Sequence, residues 1–250
     1  MKQEASEQTA LRLREQARRA ERQDRPVCGR FVAGEERIMA LRAASENGVA
    51  VDFDGGWPEA ERVQVCFHPY GMAPEYTHLW LEAIWNARFG SPTHRDLLGS
   101  LMALGYDRSL LGDLVVQEGK ADLCVLPEIL PLLMEGWCEA GHTALRVRPL
   151  EDVPDIEPPR GTLRRDTVAS LRLDSVLASG MNLSRARAAE LIRAGNVQVA
   201  HVPEERADRL LHEGDLLSVR GFGRVRLLAV GEETRKGRLP VTLEVFNRQA

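Results

Sequence analysis

Two short apolar patterns constrain this chain more than anything else in it. Leu173, Val176 and Leu177 stand at i, i+3 and i+4, and Ala188, Leu191 and Ile192 repeat that spacing shortly afterwards. Each pattern is one face of a short helix, so two short helices joined by a tight loop are expected. Gly180 is the expected stop of the first helix. Ser184 can cap the start of the second, and Gly195 can take the left-handed conformation that ends it.

Arg185 and Arg187 fall in the first turn of that second helix, where the dipole favours anions and disfavours cations. Either an external anion compensates, for which a phosphate is well suited, or the residues make a solvated arginine face. The following residues favour the anion. Val197-Gln198-Val199 alternates as a strand, Glu213-Gly214-Asp215 reads as a turn, and Leu216 to Val219 is a second strand. Arg220-Gly221-Phe222-Gly223-Arg224 is then a glycine-hinged loop with an arginine at each end, after which Val225, Leu227 and Leu228 resume a strand.

Two helices carrying Arg172, Arg185, Arg187 and Arg193, followed by a small sheet with a basic loop, resemble the RNA-binding domain of ribosomal small-subunit protein four, the S-four domain. The order R-L-D-x-x-L, S-R-x-x-A, I-x-x-G-x-V-x-V, G-D-x-L-x-V carries the likeness as a set. Leu171 to Ser179, Asn182 to Arg185 and Leu217 to Arg224 are more specifically similar to the YlmH family of bacterial S-four proteins. Upstream, Phe53 to Arg62 and His94 to Gly105 resemble that family's other signature stretches in the same order, so the resemblance spans roughly residues 31 to 246. Ala200 and His201 depart from it, standing where many S-four domains have Asn-Gly. The resemblance implies phosphate contact by Arg172, Arg185, Arg187 and Arg193, and a clamp from Arg220 and Arg224. It also implies capping by Ser184 with a hydrogen bond to phosphate, and close backbone approach at Gly221 and Gly223.

The net charge of −4 conceals an asymmetry. Residues 1 to 30 carry 8 Lys and Arg against 5 Asp and Glu, residues 31 to 159 carry 9 against 21, and residues 160 to 250 carry 16 against 11. The middle repels phosphate and the C-terminal part attracts it. No run of about 18 apolar residues and no apolar signal core occurs, so a cytoplasmic protein without membrane contact is expected. Cys28, Cys66, Cys124 and Cys138 are far apart, without metal-ligand spacing, and are expected to be idle thiols.

The expected fold class is α+β in five parts. Residues 1–30 form a highly charged helical arm, either solvated or touching RNA, and residues 31–75 an N-terminal α/β module with a helix over 34–46 and strands Val49 to Phe53 and Val63 to Phe67. Residues 76–150 read β-α-β-β-α-β, the ferredoxin-like order shared with RNA-recognition motifs. Those motifs stack bases on aromatic residues of the central strands, and here the strand Ala121 to Val125 has none. Residues 151–165 are an acidic, proline-rich linker, and 166–250 the S-four domain. Asp52, Asp54, Glu59 and Glu61 lie together, but nothing has calcium-loop spacing and Gly55-Gly56 lacks the rest of a phosphate loop, so a turn with a capped helix start is expected rather than a metal or acid/base site. His94 and Arg95 are expected as surface or capping residues.

Such a surface should read structured RNA by shape and backbone. What the YlmH resemblance implies is binding of ribosomal RNA and tRNA on the large ribosomal subunit, in ribosome-associated quality control of stalled translation. A monomer without cofactor or metal is expected. One alternative is an adaptor in cell division that uses the acidic middle to dock quality-control or division proteins. Another is an RNA-modifying enzyme guided by the S-four domain. That needs a catalytic domain, yet there is no G-x-G-x-x-G and no synthetase nucleotide signature, so a non-enzymatic factor is expected.

Overall fold

The computed structural model describes residues 2–88, 90–156 and 161–247, which fall into two compact units, Met1–Glu157 and Pro158–Ala250. In the first, helix α1 (Lys2–Gln23) places Leu13, Ala17 and Ala20 at i, i+4 and i+7, all fully buried. They meet Ala40, Ala43 and Ala44 of α2 (Glu35–Asn47), small residues that let the two helices approach closely. The N-terminal segment is therefore not a solvated arm; its narrow apolar stripe is wide enough because the facing helix offers alanines. After it comes β1 (Val27–Val32), which sequence reading missed, because Gly29 and Arg30 interrupt its alternation where the register shifts. Strands β2 (Ala50–Asp54) and β3 (Val63–His68) complete an antiparallel sheet in the order β1-β3-β2.

Cys28 and Cys66 face each other across β1 and β3 and form a disulfide, with Cα atoms 4.0 Å apart. This corrects the expectation of four idle thiols: the partners are 38 residues apart in sequence, and only the strand pairing brings them together. Cys124 is buried and Cys138 exposed, both as free thiols. The acidic residues of β2 are local fasteners. Asp54 accepts the Gly56 N–H at 2.8 Å and Asp52 lies 2.8 Å from His68.

The same unit continues with β4 (Leu79–Ile84), α3 (His94–Ala103), β5 (Leu111–Gln117), β6 (Lys120–Val125) and a 3-10 turn leading into α4 (Leu130–Gly136). A two-residue hairpin, β7 (Glu139–Ala140) and β8 (Thr143–Ala144), precedes β9 (Arg146–Leu150). The antiparallel order β5-β6-β4-β9 is that of a ferredoxin-like sheet. Thr93 and Asp96 form a reciprocal capping box at the start of α3, so His94 and Arg95 lie within a capped turn. One sheet face buries Leu81, Leu123 and Val125 with Leu97, Leu101 and Leu133 of the helices. The helix-free face is covered too: Phe31 of β1 packs on Trp80 and Cys124, with Trp57, Leu150 and Ile156 around them. Asp113 of β5 fastens this contact by accepting hydrogen bonds from Trp57 Nε1 and from the backbone N–H groups of Glu61 and Arg62, at 2.8–3.1 Å. The two modules expected from residues 31 and 76 are thus joined through a shared core, which includes Ile156 from the expected linker.

In the second unit β10 (Thr162–Val168), α5 (Leu173–Met181), α6 (Arg185–Arg193), β11 (Val197–Val199), β12 (Val202–Pro203), β13 (Leu216–Val219), β14 (Gly223–Val230) and β15 (Leu239–Asn247) follow in turn. The six strands run in the antiparallel order β10-β15-β14-β13-β11-β12. β10 pairs along its whole length with β15, Thr162 opposite Val245 to Val168 opposite Leu239, so the domain begins inside the stretch read as linker. The strand was hidden because it sits at a sheet edge and is mostly polar. Glu157-Pro158-Pro159 of the expected linker lies outside the described residues. The two helices seal one sheet face through Leu173, Val176, Leu177, Ala188, Leu191 and Ile192, as their spacing required. Gly180 is not the helix stop. It lies within α5, where an added Cβ would meet the methyls of Val225 at 2.7–2.8 Å, and Asn182 in the left-handed region (φ 54°) ends the helix.

Candidate RNA-binding site

The helix starts are organised by one carboxylate. Asp174 sits in the first turn of α5, nearly buried, and its oxygens take two guanidiniums: Arg185 Nη2 at 2.8 Å and Arg172 Nε at 3.3 Å. Burial alone would push its carboxyl up, but the hydrogen bonds from Arg185 and Arg172 outweigh burial and hold it below the usual carboxylate range. The backbone around it is closed as well, with Leu173 N–H bonded to Arg209 O and Asp174 N–H to Ala207 O. Ser184 caps α6, its Oγ accepting the Arg187 N–H at 3.2 Å.

These contacts revise the reading of the arginine-rich first turn. Part of the compensation for Arg185 and Arg187 is internal: Asp174 serves Arg185, and Glu190 at i+3 lies 2.7 Å from Arg187. One carboxylate against two cations still leaves a positive charge at the junction of the helices. The side chains of Arg172 and Arg185 remain 41% and 54% exposed. Each guanidinium has five N–H donors and gives only one or two to Asp174, so the rest are presented to solvent from a fixed position. The Arg187–Glu190 pair is exposed on both sides, weak, and readily exchanged for a phosphate.

Arg193 donates its Nε–H to Ala189 O at the C-terminal end of α6, where the dipole favours a cation. The expected loop from Arg220 to Arg224 is a tight hairpin turn between β13 and β14. Phe222 N–H bonds to Val219 O, and Gly221 and Gly223 adopt φ of 86° and 127°. Arg220 is exposed at this turn, and its backbone N–H bonds to Asn196 O just after α6. Arg224 stands apart from the arginines of the helices. It lies in β14, where Val225 points into the helix-covered core, so alternation sends Arg224 and Arg226 to the opposite sheet face. There they flank the Phe246 ring at 6.0 and 5.6 Å. The structure thus brings Arg172 and Arg185 together and places Arg187, Arg193 and Arg220 elsewhere along α6 and its adjoining hairpin, with Arg224 apart. Sequence reading quoted Asp174 in the motif without a role; the signal was an acidic residue in the first turn of one helix with arginines in both.

Ala200 and His201 both take positive φ, 49° and 65°, joining β11 to β12 in a two-residue turn. That conformation explains why Asn-Gly is at home there, and here two ordinary residues hold it.

Residues 171–217 match the family model described as "S4 domain", and residues 73–152 match "Putative RNA-binding domain in YlmH". The S4 match runs from α5 to the first two residues of β13, and β10, β14 and β15 extend the sheet. A curated relative from Bacillus subtilis, "Ribosome-associated protein quality control protein P2", is 33% identical over 219 residues, covering 86% of this chain and 85% of the relative. The solved structure of "Cell division protein ylmH from Streptococcus pneumoniae" shares the fold, with a TM-score of 0.51 at 22% identity, over 61% of this chain and 95% of that one. The two matched domains define an RNA-binding protein of the S4-domain class. Within that class, the chain belongs to the YlmH family.

Proposed function

We propose that this protein binds structured ribosomal RNA and tRNA on the large ribosomal subunit in the cytoplasm, as a non-enzymatic factor in quality control of stalled translation. The observation that carries the reading is the pair of half-exposed guanidiniums fixed on the nearly buried Asp174 at the meeting point of α5 and α6. Phosphate contacts fall to Arg172 and Arg185, with Arg187, Arg193 and Arg220 along the same helix and hairpin, and Gly221 and Gly223 allow the hairpin close approach. Arg224 acts from the other sheet face.

The ferredoxin-like sheet contributes little by base stacking, since its helix-free face is occupied by Phe31 and Trp57. The relative named for ribosome-associated quality control supports the cellular role. Sedimentation of tagged protein through gradients at low and high salt, with crosslinked RNA sequenced, tests the reading. Neutralising about four to six phosphates gives a slope of log affinity against log salt near −3 to −4, using about 0.7 per phosphate for single strands. Arg172→Gln with Arg185→Gln should lose ribosome association. Unchanged association of that variant overturns the reading and favours the adaptor in division.

A further inference from the structure

Helix α1 carries an arginine ridge that the S4 site does not explain. Arg14, Arg18 and Arg22 recur at i, i+4 and i+8, on an arc centred roughly 130° around the helix from the buried Leu13, Ala17 and Ala20, with Arg14 at its edge nearest α2. At about 100° per residue they occupy an arc of roughly 80° and run about 12 Å along the axis. Arg19 and Arg25 are exposed nearby. Arg18 and Arg19 make no hydrogen bond or ion pair with any described residue. Arg14 pairs with Glu46 and Arg22 with Glu15, but all four side chains are at least half exposed, so these pairs are screened and exchangeable. Like charges at i, i+4 repel along a helix, and here the repeat occurs twice in a chain whose residues 31 to 159 are strongly acidic.

We infer that this ridge is a second RNA-backbone contact surface, which takes phosphates of the same ribosomal RNA that the S4 site grips; the inference rests on the RNA-binding reading above. Two features favour RNA. Helix α1 is anchored through its apolar stripe, so the guanidiniums project from a rigid element and lose little freedom on binding. A lipid surface does not fit, because a helix lying on a membrane needs an apolar face to insert and the apolar stripe of α1 is spent in the protein's own core.

The test compares full-length parent, R14Q/R18Q/R22Q and R172Q/R185Q for binding to purified large ribosomal subunits and to naked ribosomal RNA across salt concentrations. Loss of three phosphate contacts flattens the salt slope by about 2, so the affinity ratio of parent to ridge variant falls from about 100 at 0.1 M salt to near one at 1 M. R14K/R18K/R22K keeps the charge and restores binding. Should the triple variant lose helicity, R18Q alone, which breaks no contact, flattens the slope by about 0.7. A ridge variant with the parent's slope, alongside a weakened R172Q/R185Q, overturns the inference and leaves the S4 reading standing. A flattened ridge variant beside an unchanged R172Q/R185Q keeps the ridge and overturns the S4 reading. A defect seen on subunits and absent on naked RNA assigns the ridge to an acidic protein and overturns the inference.

Discussion

Replacing Asp174 with Asn separates two physical accounts of the S4 site. If charge alone matters, removing a carboxylate raises the net charge by one and tightens RNA binding. If fixed geometry matters, Arg172 and Arg185 lose their common anchor and binding weakens. The stability cost follows from the contacts. A charged hydrogen bond contributes about 1.5–3 kcal/mol when desolvated, and an exposed ion pair about 0.2–1 kcal/mol. With the carboxylate nearly buried and the guanidiniums half exposed, the 2.8 Å bond to Arg185 is worth about 1.5 kcal/mol and the longer one to Arg172 about 0.5 kcal/mol. The total of about 2 kcal/mol corresponds to a fall in Tm of about 10 °C for a unit of this size. The pH dependence has a definite sign. The Asp174 carboxyl is held below its ordinary value of 3.8, because the arginine hydrogen bonds outweigh burial. Its contribution is therefore complete above the unfolded-state value and is lost as pH falls through the lower folded one. Urea unfolding of parent and D174N at pH 7, 5, 4 and 3 should show a gap that is constant down to about pH 5 and then closes. A gap of the same size at pH 3, or tighter RNA binding by D174N, would refute the reasoning.

Other substitutions probe the frame around the site. Gly180→Ala should destabilise by about 1–2 kcal/mol in urea titrations despite its better helix propensity, because the new methyl meets Val225; a more stable variant would contradict the close packing of α5 on β14. Ala200→Asn with His201→Gly should stabilise by about 1 kcal/mol, since both positions hold positive φ, and a lower Tm would show that the turn is not strained. Reducing Cys28–Cys66, or changing Cys66 to Ser, should lower stability by up to about 4 kcal/mol on loop-closure grounds for a 38-residue separation; a urea midpoint indifferent to reductant would show the thiols unpaired.

Much of the fold was legible because its helices have clean apolar periodicity. Leu173 to Leu177 and Ala188 to Ile192 predict helices that the structure places over the S4 sheet, and the β-α-β-β-α-β order of the middle stretch predicts its sheet. What escaped reading was decided by partners distant in sequence. The stripe on α1 is too narrow to predict burial until the alanines of α2 are set against it, and β10 is polar because it lies at an edge. For the site, the arginines could be read but their distribution could not. Strand alternation, invisible until the hairpin register is known, sends Arg224 to the other sheet face, and the pairing of Arg172 with Arg185 depends on a tertiary contact through Asp174.

The seating of Phe31 on Trp80 and Cys124 sets a rule for anyone trimming this protein. A fragment cut to the matched span 73–152 would leave a wet, greasy patch where the strand bearing Phe31 had been, and the excised piece would be prone to clump. Residues 2–156 make the sounder truncation, one that carries its own cover.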